Sequence, residues 1–343
     1  MPPPKFPQRR IGDDLVSAIG LGCMGMSIPL SAGIQDEDES LKVLTAAVDM
    51  GINFWVTSDS YGPFNNERLL GRWFKATGRR DEIFLVTKFG VKYTDGKPGL
   101  CSKPDYVKSA CAASLERLNT DRIDLYCQHR VDPHTPIEET VKAMAELKSD
   151  GKIRYLGLSE CSTRTLERAQ RVHPIAAAEM EYSPFALEIE SSDTGFLATA
   201  RSLGVKIIAY SPLGRGFLTG AIRSRDDFDE KDVRRLHPRF SEENFASNLK
   251  LVQSLERIAK EKDCKPSQLA LAWVLSQGDE DFIPIPGTKH VQYVKENARA
   301  VNIALTKHED AMIRQAIAQT GGRKGERYPP AVLSMCFADS PEL

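Results

Sequence analysis

The chain has 343 residues, 41% of them hydrophobic and 27% charged, enough for one large barrel or two ordinary domains around a sizeable core. A formal net charge of -1 gives no global attraction to nucleic acid or to an anionic membrane. No apolar run is long enough to span a bilayer, and the opening MPPPKFPQRR lacks the apolar stretch of a secretory leader.

The seven cysteines (Cys23, Cys101, Cys111, Cys127, Cys161, Cys264 and Cys336) are scattered, with no C-x-x-C pair and no histidine at zinc spacing. Free thiols, a cytoplasmic location and no metal site are expected. The basic pair Arg234-Arg235 reads as solvated surface.

Residues 9–20, split by Gly12-Asp13-Asp14, read as a short β-hairpin. A repeated beat follows: a short apolar run, a loop, an amphipathic helix. The apolar runs are 21–24, 52–56, 83–87, 123–127, 154–158, 175–179, 205–210 and 282–285, each the length of a buried strand. Helical spacing covers 38–49, where Leu41, Leu44, Thr45 and Val48 share a face. It covers 104–118 with Pro104 at the first turn, and 136–149 with Thr135 as N-cap. The stretches 242–262, 266–276 and 290–299 complete the set. Eight strands, each needing a crossover helix before the next, predict an α/β fold: a (β/α)8 TIM barrel with an N-terminal β-hairpin. One domain is expected, its core about 9–318, with a long loop at 212–241 after strand seven and a tail at 319–343. Stretches of that length usually carry function or are disordered.

GLGCMG (20–25) matches the dinucleotide fingerprint G-x-G-x-x-G letter for letter, but MSIP follows and Pro29 falls where a helix interior is required. The better reading is a glycine-rich strand end, with a ligand approaching the backbone at Gly22, Cys23 and Met24.

Catalytic groups of such barrels sit at the C-terminal ends of the strands. There the sequence has Tyr61 after strand two, Lys88 after three, His129 after four, Ser159 and Glu160 after five, Glu179 at six, and Tyr210 and Ser211 after seven. A phenol beside an ammonium, with an imidazole to orient a carbonyl, makes an acid catalyst.

Several segments carry a specific likeness. GINFWVTSDSYG (51–62) with NNERLLG (65–71), VTKFG (86–90) and DLYCQHRVDP (124–133) resemble the aldo-keto reductase segments that hold the catalytic tyrosine, lysine and histidine. KIRYLGLSE (152–160), EMEYSPF (179–185), AYSPLGRGFLTG (209–220) and PIPGTKHVQYVKEN (284–297) resemble that family's cofactor-binding segments. GLGCMGMS and SPLGRGFLTG look most like the branch containing plant perakine reductase and fungal pyridoxal reductases.

The resemblance implies reduction of a small carbonyl compound by NADPH, with Tyr61 as proton donor. It implies that Tyr210 stacks on the nicotinamide and that Ser159, Glu160 and Glu179 hold its carboxamide. Ser211, Leu213, Gly214, Arg215 and Gly216 would wrap the pyrophosphate. Thr288 and Lys289, just before a helix, suit an adenosine 2′-phosphate, which favours NADP over NAD. Gln292, Glu296 and Asn297 would complete the adenosine site. Trp55, Tyr93 and Tyr328 are candidate apolar walls for the substrate.

The chain departs from the family pattern at Val56 and Glu179, and Glu160 replaces a common asparagine, although Ser-Glu also occurs in the branch just named. Val56 stands where an aspartate normally pairs with the lysine, and Glu179 stands where glutamine is usual. Without that aspartate Lys88 is expected to lack a counter-charge and burial to lower its pKa, with Asp59 three residues on. Restoring the carboxylate by Val56→Asp would then raise turnover about 10²-fold. The sequence leaves three readings open: a working reductase, a non-enzymatic NADP(H)-binding redox sensor of the kind potassium-channel β-subunits suggest, and an inactivated barrel.

Overall fold

The computed structural model describes residues 6–28, 36–94, 96–278 and 280–343; MPPPK and Pro29 lie outside them. Eight parallel strands form one sheet: β3 (Leu21–Gly22), β4 (Phe54–Val56), β5 (Phe84–Phe89), β8 (Ile123–Gln128), β9 (Ile153–Ser159), β10 (Ile175–Glu181), β11 (Lys206–Tyr210) and β12 (Phe282–Pro284). They neighbour one another in that order, and the seam closes where Gly22 bridges Gly287 and the Gly22 N–H donates to the Pro286 carbonyl (3.2 Å). The result is the (β/α)8 barrel. A Cβ on Gly22 would lie 2.7 Å from the Ile285 carbonyl oxygen, so the glycine is needed for strand closure. The segment just after the last strand packs against this backbone at Gly22.

The barrel floor is closed by the hairpin β1 (Gln8–Ile11) and β2 (Asp14–Ser17). Ile11 and Val16 pack on Phe54, Phe84, Val86 and Ile283 in the lumen. Gly12 turns with φ +55°, and any side chain there would enter the ring of Tyr155.

Helices surround the sheet: α1 (Glu37–Asp49), α2 (Asn65–Thr77), α3 (Pro104–Leu118), α4 (Ile137–Ser149), α5 (Thr163–Val172), α6 (Phe196–Ser202), α7 (Glu242–Glu261), α8 (Pro266–Ser276), α9 (Val291–Ala298), α10 (Lys307–Gln319) and α11 (Pro330–Leu333). A hairpin, β6 (Val91–Thr94) with β7 (Lys97–Leu100), is inserted after β5.

Three sequence expectations change. Thr135 does not cap α4: the cap is Pro136, and the Thr135 hydroxyl donates to Asp132 (2.8 Å). Trp55 is no substrate wall. Strand alternation sends Val56 into the lumen and Trp55 outward, fully buried against Trp73 and Phe74 beneath the helices. Arg234 and Arg235 are not solvated surface. Arg234 pairs with Asp232 (2.6 Å) and donates to the Arg215 carbonyl, while Arg235 donates to the carbonyls of Arg225 and Phe228. Both brace the 212–241 loop, which is folded into a chain of short 3₁₀ turns.

Candidate active site

The turn that presents Tyr61 grows out of β4. The Thr57 and Asp59 N–H groups continue the ladder onto the Val86 and Lys88 carbonyls, and the Tyr61 N–H then turns back onto Ser58 (3.2 Å). Asn66, on the first turn of α2, clamps this turn: it accepts from the Thr57 hydroxyl (2.6 Å) and donates to the Cys23 carbonyl and Ser27 Oγ. On β5, alternation puts Val86 and then Lys88 inward. His129 follows β8, its N–H on the Phe89 carbonyl (2.7 Å). Its ring meets Tyr61 edge-on at 5.8 Å, and Lys88 Nζ lies 5.1 Å from the Tyr61 ring centroid. Phenol, ammonium and imidazole, drawn from three neighbouring strand ends, share one end of the lumen.

Burial pushes the Tyr61 phenol above its ordinary pKa, and Lys88 pulls against this, so the phenol is protonated at neutral pH. Burial also holds His129 well below the usual imidazole range, with the Arg130 and Lys88 cations adding to the effect. The neutral ring sets Nδ1 against the hydroxyls of Ser58 (3.1 Å) and Ser60 (3.2 Å).

Lys88 is not short of a counter-charge. Its Nζ donates to both oxygens of Glu179, at 3.0 and 2.9 Å. Burial alone would lower its pKa; Glu179, with Tyr61 adding to it, more than reverses this, and the ammonium stays protonated well above neutral pH. Asp59 plays no part in that pair. Its carboxyl accepts a long bond from Ser58 (3.4 Å), and the nearby Arg117 is taken by Glu67 (2.6 Å).

Burial and then the neighbouring Glu67 push Asp59 up to about 8. Between roughly pH 4 and 8 the native state therefore holds a proton that the unfolded chain has released, and stability falls as pH rises through that window. Asp59→Asn is expected to stabilise the protein at pH 9 by up to roughly 5 kcal/mol, with little effect at pH 4. Thermal melts at both pH values check this, and an equal shift at both would count against it.

The residues suited to a dinucleotide lie along the same rim. Ser159 Oγ sits 3.2 Å from Arg130 Nη1. Ser211, Gly214, Arg215 and Gly216 all take positive φ, a run of left-handed turns beginning at the end of β11, with Leu213 within it. The Gly214 and Gly216 N–H groups are bonded to the Ser211 and Leu213 carbonyls, so these two glycines shape the loop rather than offer donors. The Arg215 Nε is a buried donor with no protein partner, an orphan that a phosphate oxygen would satisfy. Thr288 and the half-buried Lys289 precede α9; Gln292 on that helix is exposed, and Asn297 is buried. Glu296 is held by Lys265 and Ser267 (2.5 Å each). Taken together, these residues fit a phosphorylated dinucleotide.

The fit is less direct at three positions. Cys23 is fully buried, its thiol pushed up to about 12 and its N–H spent on Val56; the neighbouring Met24 is half-buried. Glu160 and Glu179 already hold cations.

Sequence reasoning missed the partner of Glu160. Arg327, from the segment after α10, grips it with two bonds of 2.9 Å. Burial would raise the Glu160 carboxyl, but Arg327 holds it below the usual range. Tyr210 donates to the same carboxylate (2.8 Å), and Tyr328 touches both Tyr210 (3.2 Å) and Arg215 (3.0 Å). Tyr328 is thus at the site, as a polar hub; Tyr93 instead packs on Phe64 from the β6–β7 hairpin. Behind this network Arg239 and Glu181 form a fully buried pair at 2.6 Å.

A barrel with this rim defines a nucleotide-dependent oxidoreductase scaffold, and comparison with known proteins sharpens it. The aldo/keto reductase family profile matches residues 18–318. Aldo-keto reductase str7 of Strobilurus tenacellus is 50% identical over 342 residues, 98% of this chain and 99% of that protein. Aldo-keto reductase yakc [NADP(+)] of Schizosaccharomyces pombe is 48% identical over 340 residues, with 98% and 99% covered. Among solved structures, the glycerol dehydrogenase AKR11B4 of Gluconobacter oxydans superposes with a TM-score of 0.84 at 27% identity, over 93% of this chain and 97% of that one. The chain belongs to the aldo/keto reductase family and is an enzyme of that class.

Proposed function

We propose that this enzyme reduces an aldehyde or ketone to the alcohol, reversibly, using NADPH, with Tyr61 as general acid. The observation that carries this reading is the buried Tyr61 phenol, with the Lys88 ammonium 5.1 Å from its ring centroid and a neutral His129 edge-on to it. NADP(H) is favoured by Lys289, which makes no ion pair among the described residues, and by the NADP(+) in the name of the fission-yeast relative, while the orphan Arg215 Nε suits the pyrophosphate of either dinucleotide. When bound, the cofactor supplies a hydride to the carbonyl carbon.

The chain's own groups do the rest. With Nδ1 accepting from a serine hydroxyl, His129 presents Nε2–H to the carbonyl oxygen and orients it. Tyr61 donates its proton to that oxygen as negative charge develops there. The adjacent ammonium stabilises the phenolate left behind, which lowers the barrier to transfer. Tyr210, pinned by Glu160 and Tyr328, offers an aromatic face at the lumen rim for the nicotinamide to lie against. Ser159 would hold its carboxamide.

The test is NADPH titration by fluorescence followed by turnover on a panel including pyridoxal and aromatic aldehydes. Saturable binding with NADPH oxidation dependent on aldehyde is expected. Tight binding without turnover on any carbonyl would replace this reading with that of a redox sensor.

A further inference from the structure

We infer that Glu179 is the resident counter-charge of Lys88, supplying from the far wall of the barrel the carboxylate that position 56 lacks, and that it sets the ammonium on Tyr61. This rests on Tyr61 being the acid. Glu179 acts through Lys88 and is a positioning residue.

The geometry is specific. Lys88 leaves β5 and Glu179 leaves β10, with β8 and β9 between them, so the pair spans the lumen. The lysine side chain is 0% exposed and the glutamate 5%, and both carboxylate oxygens accept from Nζ. A charge so deep is retained only when it is paired. Among the described residues Glu179 is the sole carboxylate within ion-pair distance of Lys88. The other titratable groups facing the ammonium are Tyr61, His129, Cys23 and Cys127. None of these is a carboxylate.

Val56 does not compete for this role, because its side chain lies in the apolar layer with Val86, Leu125, Cys127 and Ala177. Glu179 projects above Ala177, two residues along the same strand and level with Ser159. In the layer below, Gly157 makes room for Cys127: a Cβ there would sit 2.5 Å from the Cys127 sulfur. The departures at Val56 and Glu179 thus fall on either side of one ammonium. One wall loses a carboxylate and the other gains one, and the lumen keeps its charge balance.

This geometry overturns the expectation that Val56→Asp would speed the enzyme. A carboxylate added at 56 enters an apolar layer while Lys88 is already paired, so turnover is expected to stay level or fall.

The experiment is a double-mutant cycle on the full-length enzyme, reading kcat against pH, NADPH Kd and Tm. Glu179→Gln is expected to lower kcat about 10²-fold and to move the alkaline limb of the profile to lower pH, because Lys88 sheds its proton more easily. NADPH Kd should change less than threefold. Val56→Asp placed on Glu179→Gln is expected to recover most of the kcat, the alkaline limb and any lost Tm. Glu179→Asp should keep the limb in place.

The inference is overturned if Glu179→Gln leaves kcat and the limb within twofold of the parent, or shifts NADPH Kd alone. It is equally overturned if losses of activity or Tm are not relieved by Val56→Asp. Failure of the underlying reading looks different: the parent enzyme would show no turnover, or turnover that survives Tyr61→Phe.

Discussion

Tyr61→Phe is expected to cut carbonyl reduction by ~10²–10⁴-fold, the range over which positioned acid catalysis operates, while leaving NADPH affinity within a factor of about two. The ring remains, and with it the edge contact to His129 and the seat beneath Lys88. Only the transferable proton is lost. Lys88 does not become an orphan in the variant, because Glu179 still holds it with two bonds, so the fold is expected to melt near the parent temperature. Stopped-flow turnover with the substrate used for the parent, beside a fluorescence titration, separates the two effects. Turnover retained at a tenth of the parent rate or better would remove Tyr61 from the role of acid.

Arg239→Met is expected to destabilise the protein by about 3–5 kcal/mol, the usual cost of leaving a buried charge without its partner. Glu181 is held far down the carboxylate scale: burial pushes it up, but Arg239 and then Arg327 bring it to about 2. Of these, Arg239 is the closer at 2.6 Å, and Arg327 lies at 3.4 Å with Glu160 already in its grip. The Arg239 guanidinium also packs over Phe185 and Phe240, contacts that methionine largely preserves. The loss is therefore assigned to the uncompensated carboxylate, and Glu181→Gln added to Arg239→Met should return most of it. Urea melts of the three variants test this. A double variant no more stable than the single would place the loss in packing.

The eightfold beat was legible because parallel strands buried on both faces read as short apolar runs, and a crossover helix must separate each pair. The strand ends then gave Tyr61, Lys88 and His129 their shared location. Parity along β4 would also have separated Trp55 from Val56, since adjacent strand residues face opposite sides. The amphipathic pattern of α2 lay inside a segment read only as a motif, and α5, rich in charged residues, has few apolar positions to betray it. Ion pairs between distant residues leave no local trace. Glu181 and Arg239 stand 58 residues apart, Lys88 and Glu179 91, and Glu160 and Arg327 167. For Lys88 one signal existed: the coincidence of an absent carboxylate at 56 and an unexpected one at 179.

The strap that delivers Arg327 ties the end of the described chain back to the fifth and seventh strands of the barrel. Past α10 the chain crosses the rim, leaves Arg327 on Glu160, and is tied down beyond it where Cys161 bridges Ala338 and Arg168 grips the Ser340 and Pro341 carbonyls. Glu160 takes its principal cation, and Tyr210 its Tyr328 contact, from this segment. The tail beyond α10 therefore completes the polar network at the rim, joining the ends of β9 and β11 through one guanidinium and one phenol.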